Sequence, residues 1–558
     1  MTTHYGHYKN EQYPIAAQIW GHRLRTGQHW IEYMLEFLSV LAGFKYRLGQ
    51  GLPDRDGVDN YLSEYVIPQR LGLRRFVFYD EREKTRDSRD TRATFALRAQ
   101  LRQLLADPDR RSDAELLEQA RSLLRSFSAI EEDRSWYAKS LFPVHEEFLL
   151  WEALRKGSTL KEYRFSADDL PLAQLDQGLE FRARNFFARG GEIYYLIISA
   201  GTENDAERRS RISNRLQKLL TENNQALGHL ARAIDAAWGH LIATNNGHIR
   251  GTLGWIPDPN CALYRNFAAD LDTFLDNDLD SLECLELLAH LIGFHIISYI
   301  YHRAHPASHP EGHRSGSCLE ACRPELLIDL LGDQDGGIVR DCSARLLREQ
   351  DDRQLRRARD LVMERVGSWA AAAPAESDRL LAYLEDEAEQ DFGFARTRTK
   401  HKLDNAVREI QMRYTAGEVR RETLIRAYGD KLFEALSSDF RRNFLAVHRK
   451  VGRAIGLIAP RKGGQVRFVL GDTLLKTLVL ATLPRGAAPV RLGDFLKLLY
   501  ERYGIVVGPG EAHAADLVER LRINEEYYSR NREALRARMQ RAGLLTQYSD
   551  ATALVHRR

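Results

Sequence analysis

The sequence predicts a mainly α protein with minor β, organised as a multidomain helical chain. Three observations predict it. Apolar residues recur at helical spacing along most of the chain, strand-like runs are few, and 39 glycines and 16 prolines punctuate the segments between. No internal period of about 20 to 50 residues is present, which argues against a solenoid.

Helical periodicity is clearest at residues 114–124, 210–238, 279–301, 339–366 and 403–414. Strand-like runs fall at 75–79, 192–199, 465–470 and 505–507, with a pair near the C-terminus. Glycine-rich and charge-dense breaks predict five units at 1–75, 76–260, 261–370, 376–458 and 459–558. The stretch 304–317, rich in His, Pro, Gly and Ser, reads as a long loop, and 370–375 as a linker or a helix start.

The last unit has the most informative order. Helices are expected at 474–481, 492–503, 511–521 and 530–542, with Gly543 as a C-cap. Segments 544–548 and 553–556 then flank Ser549 and Asp550, a turn pair, and predict a β-hairpin. Helices followed by a terminal hairpin are the layout of a winged helix, so a C-terminal winged-helix-like domain is expected. The helix before the hairpin would then be the one that reads DNA. On it, Leu535, Met539 and Ala542 share an inward face. Arg532 and Arg536 lie one turn apart on an outward one, with Arg538 and Arg541 nearby. Residues 529–558 hold seven arginines against Glu533 and Asp550.

A second basic run precedes this unit. Arg441, Arg442, Arg449, Lys450 and Arg453, then Arg461, Lys462 and Arg467, occupy 27 residues that contain no acid. Such a run neutralises phosphates without reading sequence. Phe444, Val447, Val451 and Ile455 on the other face make it amphipathic.

Composition narrows the class. Hydrophobic residues at 44% and charged residues at 28% are an ordinary globular mix, and a net charge of +3 is too small to steer the whole chain onto a polyanion. Binding to nucleic acid must therefore be local. No uninterrupted apolar run reaches the roughly 20 residues that cross a bilayer; the densest, 31–44, is broken by Glu32, Glu36 and Ser39. The opening Met1-Thr2-Thr3-His4-Tyr5 lacks the pattern of a secretory leader. Five cysteines, an odd number, suit a reduced compartment. A cytoplasmic protein without membrane attachment is expected.

All five cysteines lie between Cys261 and Cys342, and six of the 18 histidines between His290 and His313. His309, His313, Cys318 and Cys322 are the tightest group and offer four donors for a structural zinc. Their order departs from ordinary finger spacing, which puts cysteines first. The alternative is a loop without metal, with His290, His295 and His302 at helix contacts and Cys284 and Cys342 as small buried hydrophobes.

No phosphate-binding loop, His-Glu-x-x-His, Gly-x-Ser-x-Gly or kinase motif occurs. A metal-dependent nuclease would need scattered carboxylates, of which Glu180 and Glu192, the latter beside the strand-like 193–198, are the candidates.

The C-terminal residues also carry a resemblance. Ile458-Ala459-Pro460-Arg461-Lys462-Gly463-Gly464 leads into Val466-Arg467-Phe468. Leu499-Tyr500-Glu501-Arg502-Tyr503-Gly504-Ile505-Val506-Val507-Gly508, then Gly543-Leu544-Leu545 and Ser549-Asp550-Ala551, complete the set. This resembles accessory, non-ATPase subunits encoded beside large ATPases in bacterial multi-gene anti-phage systems of the methylation- or phosphorothioation-associated restriction type. The resemblance covers under a fifth of the chain and carries no catalytic motif or site residue. It implies a defence-system component whose partners include an ATPase. The expected function is a non-catalytic, DNA-associated subunit. A metal-dependent nuclease subunit and a protein-docking scaffold without DNA contact are the alternatives.

Overall fold

The computed structural model describes residues 14–21, 24, 26–50, 52, 64–66, 70–78, 96–98, 101–102, 113–130, 140–149, 154–155, 179–180, 190–239, 250–257, 260–305, 319–320, 322–373, 380–392, 403, 405, 407–413, 420–460, 465–549 and 552–557. The fold is mainly helical with a few small sheets. The first part carries α1 (Pro14–Trp20), α2 (Trp30–Gly43), β1 (Glu64–Val66), α3 (Leu71–Phe78) and α4 (Asp113–Arg125). Two antiparallel pairs follow: β2 (Ser128–Ile130) with β3 (Ser140–Leu141), and β4 (Leu154–Arg155) with β5 (Leu179–Glu180).

Next come α5 (Gly191–Gly201), α6 (Ala206–Thr221), α7 (Gln225–Gly239) and β6 (Arg250–Thr252), which pairs antiparallel with β1. The centre is α8 (Ala262–Leu275) and α9 (Ser281–Arg303). After β7 (Leu326–Leu327) run α10 (Ile338–Ala372), α11 (Leu380–Phe392) and α12 (Arg421–Phe440). A π-helical turn, Arg441–Leu445, leads into α13 (Ala446–Ala454) and the pair β8 (Ile458–Ala459) and β9 (Arg467–Phe468). The last stretch holds α14 (Asp472–Thr482), β10 (Val490–Arg491), α15 (Leu492–Tyr503) and β11 (Ile505–Val506). It ends with α16 (Pro509–Ala514), α17 (Leu517–Leu521), α18 (Glu525–Arg541), β12 (Leu545–Ser549) and β13 (Thr552–Val555).

Helix α9 organises the core. From Leu287 through His302 it is buried on every side and largely apolar, as an enclosed helix must be, and it packs against α2, α8, α13 and α14. Its length and composition would suffice to cross a membrane, but 94% of its most apolar window is buried among other helices. Asp280 caps its start by accepting from Leu282 N at 3.0 Å.

Several expectations are corrected. Residues 192–199 form helix α5 rather than a strand, because a short run buried on all sides has no period to distinguish the two. Gly191 lets α5 touch α2: a Cβ there would overlap the Tyr33 carbonyl. Residues 75–78 likewise belong to helix α3, whose first N–H groups are accepted by Asp235 of α7, at 2.9 Å from Gly72 and 3.2 Å from Leu73. The segment 210–238 is two helices, α6 and α7, broken at Asn224, whose φ is +55°. The expected helix 511–521 is also two, α16 and α17, separated at Asp516 with φ of +54°. Helix α10 continues through Ala372, so its end falls inside the expected 370–375 linker.

The C-terminal stretch is sewn into the body across the expected boundary at 459. Strand β11 pairs in parallel with β7, and Gly504, at φ +70°, lets the chain turn against the Pro324 carbonyl. Asn531 of α18 holds both strand ends. Its amide donates to the carbonyls of Ile328 and Val507, each at 2.9 Å, and its oxygen accepts from Leu330 N at 3.0 Å. The closing sheet runs β10–β13–β12, all antiparallel. Arg557 fastens its end to the C-terminus of α8, donating to the Thr273 carbonyl at 3.3 Å and, just past the helix, to Asn277 Oδ1 at 3.0 Å.

Candidate nucleic-acid interface

The basic run of α13 is acid-free in sequence but not in space. Val447, His448 and Val451 face inward. His448 Nε2 meets Asp351 Oδ1 of α10 at 2.8 Å, and Arg449 pairs with the other oxygen, Asp351 Oδ2. Tyr301 of α9 meets His448 Nδ1 at 2.7 Å. Burial holds the His448 imidazole below the usual histidine range, against the pull of Asp351. The ring is therefore neutral at pH 7, with Nε2–H donating to Asp351 and Nδ1 accepting from Tyr301. Arg467 is drawn to the buried Asp329 at 2.5 Å. Arg453 is half-buried, which leaves Arg441, Arg442 and Lys450 as the exposed cations of the described part of this run. Arg461 and Lys462 lie outside the described residues.

Helix α18 buries Tyr528, Asn531, Leu535 and Met539 along one stripe. Leu535 and Met539 thus face inward as expected, whereas Ala542, the C-cap, is exposed. Arg532 and Arg536, expected on the outward face, are half-buried flanking residues. The stem of Arg532 lies against Gly508, and its charge opposes the effect of burial on Glu511, which lifts that carboxyl above its usual range. Arg536 pairs with Glu533, and Arg538 with Asp472 at 2.5 Å. The outward stripe instead holds Glu526, Arg530, Ala537, Gln540 and Arg541. Gln540 donates to Gln547 Oε1 of β12 at 2.7 Å and ties helix to hairpin. Tyr548, 71% exposed, stands on the hairpin beside its turn.

A second buried array on α9 was not visible in the sequence. Tyr194 OH lies 3.0 Å from His295 Nδ1, and His295 Nε2 lies 3.7 Å from Asp270 Oδ2. Arg502 and the Tyr503 hydroxyl both donate to Asp270. The sequence signal was Asp270 and His295 standing among apolar residues of α8 and α9.

The candidate nuclease carboxylate Glu192 sits on a helix, 1% exposed, and accepts from Tyr65 OH at 2.9 Å and Gly254 N at 3.0 Å. Among the described residues, no group of three or more His, Cys, Asp or Glu side chains is arranged to hold a metal. Of the zinc candidates, Cys322 is buried, while His309, His313 and Cys318 lie outside the described residues. His290, His295 and His302 are buried at helix contacts and Cys284 is buried; Cys342 is only partly so. No protein-family model, curated protein or solved structure matches the chain.

Proposed function

We propose that the chain is a non-catalytic, DNA-associated subunit of a multi-protein anti-phage system, meeting DNA through a winged-helix-like C-terminal unit. The observation that carries this is the sheet order β10–β13–β12. A winged helix needs its first short strand beside the last one, with the reading helix running directly into the hairpin. Here α14, β10, α15, α18 and the β12–β13 hairpin follow that order, with strand β11 and two short helices inserted before α18. Arg530 and Arg541 on the outward stripe supply groups for phosphate and base edges, and Tyr548 supplies an amphipathic wing tip. Arg441, Arg442 and Lys450 add sequence-independent phosphate contacts. An ATPase partner is what the sequence resemblance contributes.

A protein-docking wing is the second function, favoured by the carboxylates that already pair with Arg536 and Arg538. DNA binding at two salt concentrations separates the two. Arg530→Ala/Arg541→Ala and Arg441→Ala/Arg442→Ala/Lys450→Ala should each weaken binding, with the salt slope falling by about one per lost phosphate contact. Unchanged DNA affinity in both variants, with loss of a partner protein instead, would favour docking.

A further inference from the structure

A polar cleft of about 420 Å³ lies where the starts of α6 and α8 meet, lined by Glu203, Asn204, Arg208, Asn260, Cys261 and Arg265. Cys261 is the N-cap of α8, and no side-chain hydrogen bond caps that end. It is 2% exposed, so it forms the floor of the cleft. Its Sγ lies 3.9 Å from Nδ1 of His302, in the last turn of α9. The two helix ends act in complementary senses. The N-terminus of α8 favours a thiolate, and the C-terminus of α9 favours an imidazolium. A thiolate beside an imidazolium is the arrangement that makes cysteine nucleophilic near neutral pH. Cys284, itself 8% exposed, differs in its neighbours: Asp280 and Glu283 add to burial in pushing its thiol up to about 12, whereas Cys261 faces His302.

We propose that Cys261 and His302 form a nucleophilic thiol–imidazole pair, and that their cleft takes a small zwitterionic disulfide of amino-acid size. The lining matches such a molecule in charge. Asp205 is committed to Arg208, accepting its backbone N–H at 2.9 Å and its guanidinium at 2.7 Å. Arg265 and Glu203 are exposed and of opposite sign, suited to a carboxylate and an ammonium, and Asn204 and Asn260 add amide groups. The chemistry is thiol–disulfide exchange. The Cys261 thiolate attacks one sulfur, a new S–S bond forms and the old one breaks, and the departing thiolate takes the proton from His302. Cys261 is oxidised to the mixed disulfide as half of the reagent is reduced to thiol, so no further oxidant is needed.

The test treats the full chain with cystine at pH 7 and maps mixed disulfides by peptide mass. Cys261 should react at least about tenfold faster than Cys284, as thiolate fraction dictates. His302→Gln should slow Cys261 toward cystine and toward the neutral hydroxyethyl disulfide alike. Arg265→Ala should slow cystine alone. Wild-type Cys261 reacting no faster than Cys284 would overturn the nucleophilic pair, whatever the variants do. Equal rates with the two disulfides, unmoved by Arg265→Ala, would overturn the zwitterionic ligand.

Discussion

Helix α9 contributes to two arrays of the same four residue types, Tyr301–His448–Asp351–Arg449 and Tyr194–His295–Asp270–Arg502, which close differently. In the first, the carboxylate divides its oxygens: Oδ1 takes His448 Nε2 at 2.8 Å and Oδ2 takes Arg449. In the second, Arg502 holds Oδ1 of Asp270 and the Tyr503 hydroxyl holds Oδ2. His295 Nε2 is left at 3.7 Å, without a hydrogen-bond partner. The first array therefore pins α9, α10 and α13 through the imidazole, whereas the second joins α8 to α15 through the aspartate and leaves its histidine stacked on Phe267, with ring centroids 4.1 Å apart.

The comparison sharpens most at the aspartates. Asp270→Ala removes a fully buried carboxylate from Arg502 and Tyr503 and should cost about 3–5 kcal/mol, read as a large fall in Tm. Asp351→Asn keeps the shape, and its Arg449 partner is 34% exposed to water, so a loss of about 1.5–3 kcal/mol is expected. Equal costs at the two sites would break the distinction drawn above.

Acid should strain both arrays. Burial depresses both imidazoles from 6.5. Below that value the unfolded chain binds protons that the folded chain refuses. Stability is therefore full above about pH 6.5 and falls as pH drops, by at most about 1.4 kcal/mol per pH unit for each histidine, until the folded pKa is reached. His295→Gln and His448→Gln should each flatten the acid limb of a Tm-against-pH curve; an unchanged limb in both would contradict the burial argument. The smallest pair of effects is Tyr194→Phe and Tyr301→Phe, each removing one hydroxyl for about 0.5–1.5 kcal/mol. Tyr301→Phe should cost more, because its ring-nitrogen partner belongs to the closed array; the reverse order in chemical unfolding would undo that assignment.

Much of the α-helical layout was legible. Leu535 and Met539 were readable as inward from the helix period and the terminal hairpin from its turn residues, whereas the earlier start at Glu525 and the buried Tyr528 and Asn531 were not read. The apolar run 193–198 could not, since enclosure on every side removes the polar face that reveals a period. Arg532 and Arg536 were expected on the outward face of α18, where the structure exposes Arg530, Ala537, Gln540 and Arg541. Both flank the buried stripe, Arg532 against Gly508 and Glu511 at the start of α16 and Arg536 against Glu533.

By itself the sequence determined the mainly helical class and the helix-then-hairpin order of the last elements, because periodicity and turn chemistry act over a few residues. Charge was decided by the tertiary structure. An acid-free run of 27 residues is a statement about neighbours in sequence, yet Arg449 meets Asp351, 98 positions away, and Arg467 meets Asp329, 138 positions away. Ion pairing depends on distance through space, so only the folded chain shows which cations are left to face a partner.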